Sequence, residues 1–217
     1  MNFIEQSTII GNHLKSSLPK HWDGKSCILE MKNAGGRHWR QMEWIGFFFQ
    51  FCCDRYLQGI MKIPGPKYGR VEFDGFLGIP WDFKAHAINT SSHEIIVNDS
   101  EAIAAGISQY GSVGLVLALG KVVYNDANRT FQKWHEIVKG GKSSYELERI
   151  ARGAWSRLRK TDFDLQQISF IQITDTTLVK CGSFQSDFRN SNGNPRRSKV
   201  LIDLERTREE TLHFVDF

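Results

Sequence analysis

Asp74, Asp82 and Lys84 are two carboxylates and one ammonium spaced so that a hairpin would gather them. They lie in the stretch GRVEFDGFLGIPWDFKAH, residues 69–86. Val71 and Phe73 alternate with Arg70, Glu72 and Asp74, the period-two pattern of a half-buried strand. Gly75, Gly78 and Pro80 punctuate a turn, and Trp81 to Ala87 alternates again. Strand side chains point to opposite faces in turn, so Asp82, Lys84 and His86 share one face, and Phe83, Ala85 and Ala87 the other. A closed hairpin would set Asp74 beside Asp82 and Lys84. Such a trio suits Mg2+, which takes oxygen ligands, usually one or two carboxylates completed by water and phosphate. A bound cation neutralises charge on a phosphodiester and makes a nucleophile of bound water. A neighbouring lysine can orient that water and stabilise the charged transition state. A solvated cross-strand ion pair would use the same residues for no chemistry at all.

The pattern Asp74, seven intervening residues, then Asp82-Phe83-Lys84 resembles the PD-(D/E)XK nuclease signature, best known from type II restriction endonucleases. Phe73 stands where that signature has proline. The resemblance covers mainly residues 40–125. It implies a Mg2+-dependent endonuclease, with Mn2+ as a substitute ion, that hydrolyses phosphodiesters of double-stranded DNA. Asp74 and Asp82 would hold the metal, with the Phe83 backbone carbonyl as a further ligand. Lys84 would position or activate the attacking water. In many such nucleases an acidic residue from an N-terminal helix completes the site. His38 to Gln58 is predicted as one long helix, whose FFFQFCC half is apolar nearly all round, as in a buried helix. Arg40, Glu43, Gln50 and Asp54 form its polar stripe. Glu43 is the matched position and Asp54 the runner-up. Pairing of Glu43 with Arg40 on a solvated face is the plain alternative.

Other elements must position these groups. Residues 2–17 read as an amphipathic helix with Phe3, Ile4, Ile9, Ile10 and Leu14 as its apolar side, closed by Pro19. Residues 20–36 are ambiguous. The Pro/Gly-rich loop 59–70 carries Lys62, Lys67 and Arg70 into the proposed site strand, where they would suit a DNA groove or simply solvent. Ile95 to Val97 is strand-like. Asp99 or Ser100 then caps a helix running to Tyr110, ended by Gly111. Val113 to Leu119 reads as a buried strand, and Gly120-Lys121 as a hairpin turn into Val122 to Tyr124. A short helix follows over 131–138.

Ser143 with Glu146 is a capping-box signature for a helix to Lys160. Its apolar face would be Leu147, Ile150, Ala151, Ala154 and Leu158. Arg149, Arg152 and Arg159 lie opposite and suit a row of phosphates, since each neutralised phosphate releases counterions. Ile168 to Thr174 and Thr177 to Cys181 read as a second hairpin. The polar segment that follows, with Arg189, Asn192, Arg196 and Arg197, precedes a strand from Val200 to Leu204. Arg and Asn read guanine and adenine edges bidentately, so it suits a recognition loop; a disordered loop is the bland account.

Composition narrows the class. The 217 residues are 41% hydrophobic, enough for a real core, and carry a net charge of +4. Five cationic side chains against one acidic give Lys180–Lys199 that same +4. The start MNFIEQSTII lacks a signal-peptide pattern, and no apolar run is long enough to span a membrane. Cys27, Cys52, Cys53 and Cys181 have no metal-site spacing and are expected to be reduced and buried. There is no Walker loop, GxGxxG, serine elbow or HExxH pattern.

The expected fold is α/β, a restriction-endonuclease-like mixed central sheet flanked by helices. The chain is expected to form a single nuclease domain, with its catalytic core at about 38–125 and a DNA-recognition elaboration at about 143–200. A chain with one site must act twice to cut a duplex, so a homodimer is expected, with the apolar 47–53 helix as a candidate interface. The expected compartment is a prokaryotic cytoplasm. A modification-dependent endonuclease or junction resolvase of the same fold fits the same motif. A non-catalytic DNA-binding protein is the alternative of a different class.

Overall fold

The first helix, α1 (Phe3–Ser17), opens with a capping box: the Asn2 side chain accepts from the Glu5 N–H, and the Glu5 carboxylate accepts from the Asn2 N–H. The computed structural model describes residues 1–154, 156–186, 189, 194, 197–209 and 211–216. Phe3, Ile10 and Leu14 are buried as expected, but Ile4 and Ile9 are exposed, and Gln6 and Ser7 take core places. Gln6 earns its place through the Trp81 indole N–H, which donates to its Oε1 at 3.3 Å. The ambiguous stretch resolves into β1 (His21–Asp23) and α2 (Gly24–Asn33), with Asp23 as the N-cap.

The predicted 38–58 helix is shorter: α3 spans Trp44–Tyr56. Residues 38–43 form a turn instead, because Trp39 is buried and its carbonyl accepts from the His135 ring N–H at 2.9 Å. Glu43 therefore precedes the helix and is not on its stripe. Phe48, Phe49, Cys52 and Cys53 are core residues, and Phe47 and Phe51 are partly buried against the same core.

Two short strands, β2 (Lys67–Tyr68) and β3 (Val71–Glu72), form a ribbon before β4 (Gly75–Leu77) and β5 (Ile79–Ala87). Only Gly78, at φ +75°, makes the β4–β5 turn, a conformation that favours glycine. Gly75 and Pro80 lie inside the strands, opposite Trp81 and Phe76. Gly75 is required there by packing, since a Cβ would strike Met61 and the Phe83 ring.

The chain continues through β6 (Glu94–Asp99) and α4 (Ser100–Tyr110), which stops at left-handed Gly111 as predicted. Strand β7 (Val113–Val123) is continuous, with no hairpin at Gly120-Lys121. Gly120 instead admits the Phe163 ring and the Asp164 carbonyl of a neighbouring strand. After α5 (Thr130–Lys139), α6 (Ser144–Ala151) starts at its predicted Ser143 cap but ends early, at Arg152 and left-handed Gly153. Its expected apolar residues Leu147 and Ile150 face solvent, as does Leu158 beyond it. Strand β8 (Asp162–Ile173) leads to α7 (Asp175–Cys181), where a hairpin was expected. Thr174 caps that helix by accepting from the Thr177 N–H, which turns the chain out of the sheet. β9 (Gly182–Gln185), β10 (Lys199–Asp203), a 3-10 turn (Arg206–Glu209) and β11 (Thr211–Asp216) complete the fold.

The fold is α/β with a mixed central sheet flanked by helices. Its order is β4, β5, β7, β8, with β1 and β11 both pairing with β8. Only β5–β7 is parallel among its pairings. A smaller antiparallel sheet runs β6, β10, β9. Along β7, Val116 and Ala118 join one core with Trp22, Phe49 and Trp81, while Leu115 and Leu117 join another with Ile103 and Ile202. That alternation places apolar layers on both faces of the sheet. All four cysteines are free and buried. Among the described residues, no helix is long and apolar enough to cross a membrane.

Candidate active site

Strands β4 and β5 pair with Gly75 opposite Trp81, so Asp74, one residue before β4, falls in register with Asp82. Backbone geometry then holds Asp74 in place: the Phe83 N–H donates to its Oδ2 at 2.6 Å. Helix α3 adds a second clamp, the Gln50 side-chain N–H donating to Oδ1 at 2.7 Å. The Lys84 ammonium stands 2.7 Å from Asp82 Oδ2, 4.0 Å from Asp74 Oδ2 and 3.4 Å from the Phe83 carbonyl oxygen. Sequence alternation thus put Asp82 and Lys84 on one face, and the hairpin register brought Asp74 to them.

Parallel pairing with β7, where Asp82 lies opposite Leu115, buries Asp82, which is only 2% exposed. Its Oδ2 takes the Lys84 ammonium, 2.7 Å away, as a charge partner and has no other polar partner. The oxygen is charge-compensated yet still open to a donor or a cation. Burial pushes the Asp82 carboxyl above the ordinary aspartate range; Lys84 opposes this and Asp74 adds to it. Burial would lower the Lys84 pKa, but the Asp82 and Asp74 carboxylates outweigh it and hold the ammonium charged.

Asp54 belongs to the same electrostatic unit. Burial, with a contribution from the Asp74 charge, pushes its carboxyl up to about 6. Glu43 stands elsewhere: its side chain is 71% exposed and pairs with Lys160 at 2.7 Å, not with Arg40. It lines the outer part of a cleft of about 300 Å³ that also holds Gln50 and Lys84. His86, on the Asp82 face, turns to the next loop and donates to the Ser92 carbonyl at 2.9 Å. Gln50 is the site residue to which the sequence assigned no role. Its signal was a lone amide inside an otherwise apolar helix.

The donor set is all oxygen: two carboxylates and the Phe83 carbonyl. Among the described residues, no group of three or more His, Cys, Asp or Glu side chains is disposed to hold a metal ion. Mg2+ does not need one, since it binds through one or two carboxylates and takes the rest from water and phosphate. The Asp82 and Asp74 carboxylates, with the Phe83 carbonyl beside them, fit that requirement.

Lys62, Lys67 and Arg70 are exposed near this end of the sheet, and the Lys62 backbone exchanges both hydrogen bonds with Phe76 of β4. Tyr68 of the same loop packs on Phe73 and donates its hydroxyl to Gln109. The predicted row of helix arginines is broken up. Arg149 is on α6, Arg152 caps its end, and Arg159 lies beyond it and is buried. Arg189 is exposed, and Arg197 is held near Asp99 Oδ2 at 3.6 Å. Asn192 and Arg196 lie outside the described residues.

No family model matches this chain. No curated protein matches it either. Among solved structures, the restriction endonuclease BglI bound to its DNA recognition sequence is similar, over 98% of this chain and 89% of that one, at 7% identity and a TM-score of 0.44.

Proposed function

We propose that this protein is a Mg2+-dependent endonuclease that hydrolyses double-stranded DNA at a short specific site, acting as a homodimer. The observation that carries this reading is the Asp74–Asp82–Lys84 cluster, with a buried Asp82 oxygen whose one polar partner is the Lys84 ammonium. Asp74 and Asp82 would hold the metal, with water and phosphate completing its shell and the Asp54 carboxyl adding negative charge toward Asp74. When bound, Mg2+ neutralises phosphodiester charge and acidifies a coordinated water. Gln50 and the Phe83 N–H fix the Asp74 carboxylate. The charged Lys84 holds a proton-donating ammonium where it can orient an attacking water and stabilise negative charge on the phosphoryl oxygens. Lys62, Lys67 and Arg70 offer phosphate contacts on the adjoining loop. Two copies supply one site for each strand of the duplex.

The test is digestion of methylated and unmethylated phage DNA side by side with Mg2+, with Asp82→Ala and Lys84→Ala as controls. Discrete fragments from the wild type alone support the reading. Cleavage by either variant, or specific DNA binding with no cleavage under any divalent ion, would overturn it.

A further inference from the structure

A cavity of about 640 Å³ is separate from the carboxylate cluster. It lies between the 40–43 turn, the end of α5 and the strand-like approach to β8, and is lined by Arg40, Lys139, Lys142, Arg159, Glu136 and Glu146 among others. Arg159 is only 7% exposed. Among the described residues it makes no hydrogen bond, and no carboxylate oxygen lies within 4.0 Å of it. Its guanidinium nitrogens are not among the buried side-chain atoms left without a partner, so they open onto the cavity it lines. The carboxylates around it are otherwise engaged. Glu136 pairs with Lys142 at 2.6 Å, and Glu43 pairs with Lys160. Glu146 accepts from Gln132 at 3.4 Å. Lys139 also lacks an ion-pair partner among the described residues, and Arg40 rests on the Trp39 ring. Burial, and then the like charge of Arg159, lower the Lys139 pKa, with Glu136 and Glu146 opposing.

We propose that this cavity is an anion site for a phosphoryl group, with Arg159 as its central ligand and Lys139 and Arg40 at its rim. A guanidinium fork matches two phosphoryl oxygens at once, and neighbouring cations suit a dianion or polyanion better than a single carboxylate. Glu43 and Phe47 line both this cavity and the cleft that holds Lys84, so the two spaces adjoin. The phosphoryl group is either a backbone phosphate of a strand lying across the cleft or a terminal phosphomonoester. The site itself is independent of the nuclease reading; only the nucleic-acid source of the phosphate rests on it.

The experiment is a thermal-unfolding titration with inorganic phosphate against NaCl of equal ionic strength, on wild type, Arg159→Met, Lys139→Met and Asp82→Asn. Phosphate is expected to raise the wild-type and Asp82→Asn melting temperatures alike. Arg159→Met is expected to melt no lower than wild type without phosphate, because it removes a largely buried charge that no carboxylate pairs directly. It should also lose about tenfold or more in phosphate affinity, the loss expected for charge-assisted hydrogen bonds. Lys139→Met, on the half-buried rim, should lose part of the response. Equal phosphate shifts in all four proteins, or none above the NaCl control, would overturn the site. So would an Arg159→Met variant that is destabilised without phosphate while Lys139→Met responds fully, the pattern of a structural arginine. Binding of oligonucleotides with and without a 5′-phosphate then separates the sources: a preference for the 5′-phosphate that Arg159→Met abolishes marks the monoester, and equal weakening of both marks the backbone. Because Asp82→Asn disables the proposed chemistry and not this site, absence of DNA cleavage leaves the phosphate result standing.

Discussion

Gln50 and Asp74 are joined by a 2.7 Å hydrogen bond that ties helix α3 to the edge of the β4–β5 hairpin. The amide holds one carboxylate oxygen while the Phe83 N–H holds the other, leaving the carboxylate little rotational freedom. Gln50 touches no substrate in this arrangement and acts through Asp74. Replacing it with Leu is expected to lower metal affinity or activity by about 10–100-fold, the usual effect of removing a partner behind a ligand. Gln50→Glu places a like charge against Asp74 and should be worse. Mn2+ titration followed by calorimetry checks both, and an unchanged affinity in Gln50→Leu would remove the positioning role.

The Asp82–Lys84 pair predicts a pH-dependent stability defect. In Lys84→Met, the Asp82 carboxyl stays buried without its cation, so its folded-state pKa rises further above the unfolded value. The folded state then binds more protons than the unfolded state between the two values, and stability falls as pH rises through that window. Lys84→Met should therefore unfold more easily at pH 8 than at pH 5, relative to wild type at the same pH. It should also cleave no DNA while still binding duplex. Urea melts at the two pH values check the sign.

Asp54 has a raised folded pKa of about 6, against an ordinary aspartate value of 3.8. By the same linkage, it costs stability progressively as pH rises from about 4 to about 6, and the cost is complete above that. Asp54→Asn is expected to flatten this part of the stability profile and to stabilise the metal-free protein at pH 7. It should also weaken Mn2+ binding more than Glu43→Gln, because Asp54 is coupled to Asp74 and Glu43 is paired with Lys160 in solvent. Metal affinity in the wild type should rise with pH across the same range as the carboxyls release protons. Calorimetry in buffers of different ionisation enthalpy measures that release directly.

Affinity and specificity for DNA should separate. Substituting Arg152, exposed at the end of α6, is expected to weaken binding to all duplexes alike and to lower the salt slope by about one contact's worth. Substituting Arg196 or Asn192 is expected to cost roughly 1–3 kcal/mol on the preferred site only. Titrations against specific and scrambled duplexes at two salt concentrations tell these apart. Equal losses on both duplexes for these two variants would make the segment a basic tether.

The amino-acid sequence by itself determined the local features. Alternation along Trp81–Ala87 put Asp82 and Lys84 on one face because a strand has a fixed period of two. Gly111 stopped α4, and the Ser143 cap started α6, through chemistry confined to a few residues. What only the tertiary structure decided depended on partners distant in the chain. The start of α3, and with it the separation of Glu43 from Asp54, follows from the His135 bond to the Trp39 carbonyl, 96 residues away. The burial that perturbs Asp82 comes from its pairing with β7, whose register no local pattern specifies. Arg159 read as one position on a basic helix face, yet Gly153 ends that helix first and the chain carries the guanidinium into a cavity. Periodicity reports which way a side chain points from its own backbone; what it meets there is set by segments that only folding brings alongside.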